Sequence, residues 1–506
     1  MAKLFRIVIP AYPGVNIFTR RAKKTTALGP ILVATVANKL EGWQVEVIDE
    51  NNYRRGPRDS QGLPDHAVLQ KENPADVVGV YCGLTCTMER VWRVVEFYHQ
   101  QDVKIIAGAW HAHYCPEEAL NHDIDVVVHG DAELVIRQIL SALGEGGSLE
   151  NISGISFLKN GQIKTNLPDM LENPDLNDLP FPDFGLLRYA KIKIYPIGRI
   201  RGCNMNCEFC SVKGRPRWSS SQHLFNTVKW LRETRRAKHF FLVDDNSGAE
   251  PEGTIKFFQM ISEKFRNQLH FTVQMRLEAA ENTELLEVMR KAGVEVVCIG
   301  YESPVNEDLK IMRKGYLSSK MLEWTKIWRS FFWVHGMFIV GYPSKGAETS
   351  MPAREIVRCF RRFIRKASID SVQIVLPVPL VGTGLRYRLE KERRIFPLEL
   401  VSWSRYDGCY PCFKPDNMKP SELQQIGLKL MRRFYNLSSL FRILLRILFF
   451  PLAFPVDYLL RGWRQWHRGW SRDVLRSGAH ILIRQWQKRQ QTKLIERLDK
   501  YQIEPH

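Results

Sequence analysis

Three cysteines fall in one short segment, Arg201-Gly-Cys203-Asn-Met-Asn-Cys207-Glu-Phe-Cys210, with the spacing C-x3-C-x2-C. Thiolates this close in a single loop can converge on one inorganic centre. Two centres fit the ligand type. A structural zinc site normally takes four protein ligands. An iron–sulfur cluster held by three cysteines leaves one iron open to a small molecule. The segment follows an apolar run, Ile192–Ile197, that reads as a strand. A loop at the C-terminal end of a barrel strand is where barrel enzymes place their chemistry, and this position favours the cluster.

The rest of the chain must position that loop. It has 506 residues, enough for about three domains. Apolar residues make up 44% and charged residues 25%, a globular balance that excludes a disordered or collagen-like chain. Met1–Pro10 holds too short an apolar run for a secretory signal, so a reducing cytosol is expected. There, clustered cysteines bind metal more often than they pair. The net charge of +19 points to a polyanionic partner, nucleic acid or an anionic membrane surface.

Two alternating series of strands and helices follow from the hydrophobic pattern. The first has strands at Phe5–Pro10, Val45–Asp49, Val77–Tyr81, Lys104–Ala107 and Asp125–Val128, with helices between. These Val/Ile runs suit strands buried on both faces of a parallel, doubly wound sheet. Residues 146–190, rich in Pro and Asn, read as an extended connector. The second series has strands at Ile192–Ile197, His239–Val243, Leu269–Met275, Val294–Ile299, Gly336–Val340 and Val372–Leu376. Six strand–helix units suit a partial β/α barrel, with a second doubly wound sheet as the competing architecture. The expected division is 1–145, connector 146–190, barrel 191–395 and a basic, mainly helical region 396–506.

The cysteine segment resembles the signature of the radical S-adenosylmethionine (SAM) superfamily, with aromatic Phe209 just before the last cysteine. Further segments resemble that family in order: Val243-Asp-Asp-Asn246, Gly300-Tyr-Glu302-Ser303, Phe338-Ile-Val-Gly341-Tyr-Pro343 and Pro377-Val-Pro-Leu-Val-Gly382. The resemblance implies a [4Fe–4S] cluster on Cys203, Cys207 and Cys210. Its open iron would bind SAM, and reduction would release a 5′-deoxyadenosyl radical that removes hydrogen from an unactivated carbon. It also implies SAM contacts at Phe209 (adenine), Gln274 and Arg276, Glu302 and Ser303, and Gly341. Asp244 and Asp245 would face substrate or cap the next helix.

Residues 5–140 resemble the flavodoxin-like cobalamin-binding domain that precedes the barrel in one subclass. The matching pieces include Val78-Gly-Val-Tyr-Cys-Gly-Leu84, Ala107-Gly-Ala-Trp-His111 and His129-Gly-Asp-Ala-Glu133. The D-x-H-x-x-G motif that supplies an axial histidine in other cobalamin proteins is absent. Cobalamin therefore follows from the resemblance alone. His111 reads first as a hydrogen-bonded loop residue. Cys82 and Cys86 lack a third partner. Cys409-Tyr-Pro-Cys412 has redox or metal spacing but no second pair.

The C-terminal region carries 15 Lys+Arg against 5 Asp+Glu from Arg432 to His506. Leu440–Leu460 is apolar and about span-length, yet Arg442, Arg446, Asp457 and two prolines argue against a span. An in-plane segment fits better. Trp463, Trp466 and Trp470 recur on one helix face among Arg461, Arg464, Arg468 and Arg472. Such a face suits a membrane surface or packing on the barrel; RNA ranks third, and no RNA-binding motif is present. The resemblance implies methylation of an unactivated carbon of a small-molecule or lipid substrate, with cyclisation, rearrangement or oxidation of a tetrapyrrole or natural-product type as the alternative reactions, and the amphipathic tail points to a hydrophobic, lipid-like substrate. It also implies a one-electron reductant such as ferredoxin or flavodoxin. A metal- or RNA-binding protein without turnover is the alternative of another class. The expected location is the cytoplasm, with peripheral contact at the inner face of the membrane.

Overall fold

The computed structural model of the chain describes residues 2–14, 23–167, 174–344, 351–448, 450–488 and 492–501, the segment 450–465 by its backbone only. Two sheets organise it. The first has strands β1 (Lys3–Ile9), β2 (Trp43–Asp49), β3 (Val77–Tyr81), β4 (Lys104–Gly108) and β5 (Val126–Val128), all parallel in the order 2-1-3-4-5. That order is the flavodoxin-like one, whose ligands sit beyond the carboxyl ends of the strands. Val8, Val47, Ile48, Val78, Ile105, Val126 and Val127 are fully buried between flanking helices, as continuous Val/Ile runs require.

The expected connector starts differently. Ile155–Lys159 (β6) and Gln162–Asn166 (β7) form a hairpin that extends the first sheet antiparallel to β5. The turn is Asn160-Gly161, both at positive φ (52° and 77°), the two-residue combination that right-twisted hairpins favour. The dipeptide was visible in the sequence. Reading residues 146–190 as one connector overlooked it.

The second sheet begins with β8 (Ile194–Ile197). Two short strands, β9 (Ile200–Arg201) and β10 (Arg217–Trp218), then pair antiparallel and close a loop. β11 (His239–Leu242), β12 (His270–Met275), β13 (Val294–Glu302), β14 (Trp333–Ile339) and β15 (Ser371–Val375) follow, all parallel, each beside its predecessor with β11 beside β8. This is a six-stranded partial barrel, not a second doubly wound sheet. Its helices bury one stripe each. Ala353–Ala367 buries Ile356, Val357, Phe360, Phe363 and Ile364 while its arginines face out.

Helices Pro420–Phe434, Ser438–Leu448, Phe450–Lys488 and Thr492–Lys500 complete the chain. Among the described residues no helix is long and apolar enough to cross a membrane. The long helix packs on the amino end of the barrel strands. Arg468 pairs with buried Asp370, Nε to Oδ1 at 2.8 Å. Arg476 lies over the Phe434 ring at 4.1 Å, and Ala479 and Ile483 enter the core. Trp466 stacks on Trp470 at 6.1 Å. Of the expected in-plane face, Trp466, Arg468 and Trp470 are part-buried. The side chains of Arg461, Trp463, Arg464 and Trp486 lie outside the described residues.

Candidate functional site

The cysteine loop hangs between β9 and β10. Gly202 opens it at φ +87°, where a Cβ would sit 2.8 Å from the Arg215 carbonyl oxygen, so glycine is required. Cys207 is buried; Cys203 and Cys210 are half-buried. Burial raises the Cys210 thiol, and charge on Cys207 and Cys203 raises it further while Lys213 lowers it. The three sulfurs thus share one electrostatic neighbourhood. No disulfide joins them.

A residue that sequence reasoning did not single out holds this loop. Glu208 accepts two bonds from Arg388, at 2.8 and 3.0 Å, and one from the Tyr342 hydroxyl at 2.8 Å. Its backbone bonds Met312 and Leu385. The buried carboxylate therefore ties the loop to the exit of β14 and to the helix Gly384–Lys391, and the Glu208 backbone ties it to the segment after β13. Its only signal was a place inside the cysteine segment.

The acidic pair after β11 does a related job. Asp244 is buried, and one oxygen accepts the amides of Arg199 (2.7 Å) and Ile200 (3.0 Å). Burial pushes its carboxyl up to about 6 against these bonds. Asp245 accepts the Gly202 amide at 2.7 Å. Both carboxylates position the loop rather than cap the helix Pro251–Phe265, whose first turn is held by Glu250.

The strand ends around the loop carry the other expected residues. β13 ends in a bulge between Gly300 and Glu302, and Glu302 adopts φ +59°, a strained conformation for a side chain that is 9% exposed. Its carboxylate folds over Gly300 to buried Lys314, 3.2 Å away. Burial disfavours the Lys314 charge, but Glu302 more than restores it, so its pKa is raised. Ser303 donates to Asp308 at 2.6 Å. Arg276 pairs with Glu278 at 2.5 Å, and Gln274 is exposed in the mouth. Phe209 meets Tyr342 edge-on at 6.4 Å. Gly341 is at φ +74°, and a Cβ there would overlap the Leu423 side chain. The close approach at Gly341 is thus made by the helix Pro420–Phe434, where the resemblance implied adenine.

Two cavities flank the loop. One, of about 820 Å³, is lined by Asn204, Met205, Asn246, Arg276 and Glu278. The other, of about 840 Å³, lies between the strand ends of both sheets: Tyr81, Gly108, Trp110 and Gly130 on one side, Ile200, Gly202, Val212 and Asp245 on the other. Side chains at Gly108 or Gly130 would meet nothing within 4 Å, so this rim is open to a large flat group. Arg201 clamps the two sides, reaching Asp131 (2.8 Å) and Glu133 (2.6 Å), and Arg217 adds Asp131 at 2.7 Å.

His111 is not in this cavity. It is 1% exposed and bonded to Thr85 and Glu118, both at 3.2 Å. His113, two residues on, does line it and contacts His129 at 3.2 Å. Cys412 is buried, its thiol bonded to backbone oxygens and its pKa raised by burial, which argues against a reactive pair with Cys409.

Comparisons agree with this geometry. Residues 197–349 match the family model described as the Radical SAM superfamily. The barrel segment thus carries a Radical SAM domain, and the chain is an enzyme whose cofactors include a [4Fe–4S] cluster and SAM. Its fold is similar to that of the radical SAM methyltransferase TsrM of Kitasatospora setae, solved with cobalamin and a [4Fe–4S] cluster bound: TM-score 0.61, 16% identity, 80% of this chain and 81% of that one. Among curated proteins it is 25% identical to an uncharacterized methyltransferase of Pyrococcus horikoshii over 91% of this chain and 98% of that one. It is 22% identical to the bacteriochlorophyllide d C-12(1)-methyltransferase of Chlorobaculum tepidum (82% and 84%). It is 26% identical to the hopanoid C-2 methylase of Rhodopseudomonas palustris (72% and 64%).

Proposed function

We propose that this enzyme is a cobalamin-dependent C-methyltransferase that acts on an unactivated carbon of a hydrophobic, lipid-like substrate. The observation that carries the reading is the cavity between the two sheets, bordered at once by the flavodoxin-like strand ends and by the cysteine loop. Bound there, the cluster with SAM supplies a hydrogen-abstracting radical and the cobalamin a transferable methyl group. Cys203, Cys207 and Cys210 hold the cluster, and Glu208 with Arg388 fixes their loop. Gln274, Arg276 and Phe209 border the SAM end, while Glu302 and Ser303 act through Lys314 and Asp308. Trp110, His113 and the open glycine rim hold the cobalamin end. Arg201 keeps the two sides in register and helps exclude water. The domains are 1–145, extended by the hairpin β6–β7 from the connector 146–190, and 191–395, with the region 396–506 behind.

The apolar character of the cavity, from Phe5, Ile7, Leu32, Val33 and Ile106, supports a substrate or cofactor group with large apolar faces. The names of the relatives, a hopanoid methylase among them, support a lipid. A one-electron reductant is needed for each cluster reduction, and peripheral membrane contact would bring a lipid within reach. The test is anaerobic reconstitution with hydroxocobalamin, followed by comparison of lipid and pigment extracts from cells with and without the protein. A cobalamin absorption band and a substrate lighter by one methyl group in the deletion are expected. Protein that excludes cobalamin overturns the reading.

A further inference from the structure

The helix Ser438–Leu448 touches the rest of the chain along a narrow seam. Among its described side chains only Ser439 and Ile443 are buried, and Arg442 reaches across to Asp473 at 2.9 Å. The rest is apolar and in water: Leu440 is 44% exposed, Phe441 62%, Leu444 48%, Ile447 56% and Leu448 72%. A helix that is apolar on most sides is ordinarily buried. Covering such side chains with an apolar phase is favourable.

Charge decides what covers it. The region from Arg432 carries 15 basic against 5 acidic residues, and Arg432 and Arg433 are exposed just ahead of the helix. A second copy seated on this face would bring two such regions together. An anionic bilayer instead attracts exposed Lys and Arg. We propose that Ser438–Leu448 is an in-plane docking helix that seats the enzyme on an anionic membrane surface. Sequence pattern placed the membrane face partly on the tryptophan stretch. The expected in-plane segment Leu440–Leu460 already takes in this helix, and its described side chains stay exposed while Arg468 and Arg476 of the next helix are engaged with the barrel. The use of this contact, to draw a lipid from the bilayer, rests on the function proposed above; the contact itself does not.

The test is co-sedimentation of the full chain with vesicles of phosphatidylcholine alone or mixed with phosphatidylglycerol, comparing wild type with the double variant Phe441→Glu, Leu444→Glu. Both positions are exposed, so iron content and thermal unfolding should be unchanged. Wild type should sediment with the anionic vesicles and lose this in high salt, and the variant should bind at least about tenfold more weakly. Wild type that stays in the supernatant with both vesicle types overturns the proposal. So does a variant that binds undiminished, or a wild-type dimer in sedimentation velocity that the variant converts to monomer. Release of 5′-deoxyadenosine in vesicle-free solution is measured separately, so failure of the docking and failure of the radical chemistry are distinguishable.

Discussion

The two ends of the barrel are built on opposite terms. At the amino end, Asp370 is fully buried, receives Arg468 from the long helix, and accepts the Val334 amide at 3.0 Å. Tyr435 there bonds both backbone groups of Val372, at 3.0 and 2.7 Å. That end is closed. At the carboxyl end, Cys203, Cys210 and Gln274 remain accessible, Glu302 is strained, and two large cavities open. The closed end lets the open end keep its strained and half-buried groups. Substitutions should divide accordingly, into those that lower stability and those that lower chemistry.

Asp370→Ala should have the largest effect on stability. It leaves Arg468 against the barrel without its carboxylate and should cost about 3–5 kcal/mol by denaturant unfolding. Turnover per folded molecule should be unchanged; a selective loss of turnover would break the comparison. Glu208→Gln comes next. It weakens the paired bonds from Arg388 and should cost about 2 kcal/mol, with lower iron retention measured after gel filtration. Full iron retention would show that the loop needs no such anchor. Arg201→Ala opens the clamp across the larger cavity. It should cost about 1 kcal/mol while weakening cobalamin retention several-fold, as read by absorption after dialysis.

Asp244→Asn should act in the opposite direction, through pH. Folding raises the Asp244 carboxyl from 3.8 to about 6, so the folded chain holds its proton more tightly than the unfolded one. Its ionisation therefore lowers stability as pH rises from about 4 to about 6. Asparagine keeps the acceptor for the Arg199 and Ile200 amides and removes the charge. The variant should gain about 2 kcal/mol on wild type between about pH 4.5 and about pH 7.5. A pH-independent difference would contradict the buried-charge account.

Much of this contrast was legible in the sequence, and for specific reasons. The eleven core strands are short apolar runs, most of them rich in Val and Ile, and such runs announce themselves locally. The cysteine spacing is equally local. What escaped was pairing over distance. Glu208 finds Arg388 180 residues away, and Asp370 finds Arg468 98 residues away. No periodicity encodes which arginine of a basic stretch meets which carboxylate. The same limit explains the tail: the sequence shows a helix face around Arg468, but only the fold shows that Arg468 meets Asp370. The hairpin at Asn160-Gly161 was a missed local signal of the ordinary kind.

The central claim is that three sulfurs in the open loop hold the iron. Cys203→Ala, Cys207→Ala and Cys210→Ala, each reconstituted anaerobically beside wild type, test it through iron content and 5′-deoxyadenosine release. Wild type should carry about four iron atoms per chain, and each variant should lose both the iron and the nucleoside product while unfolding at nearly the wild-type temperature. A variant that keeps its full iron and still cleaves SAM would contradict the account.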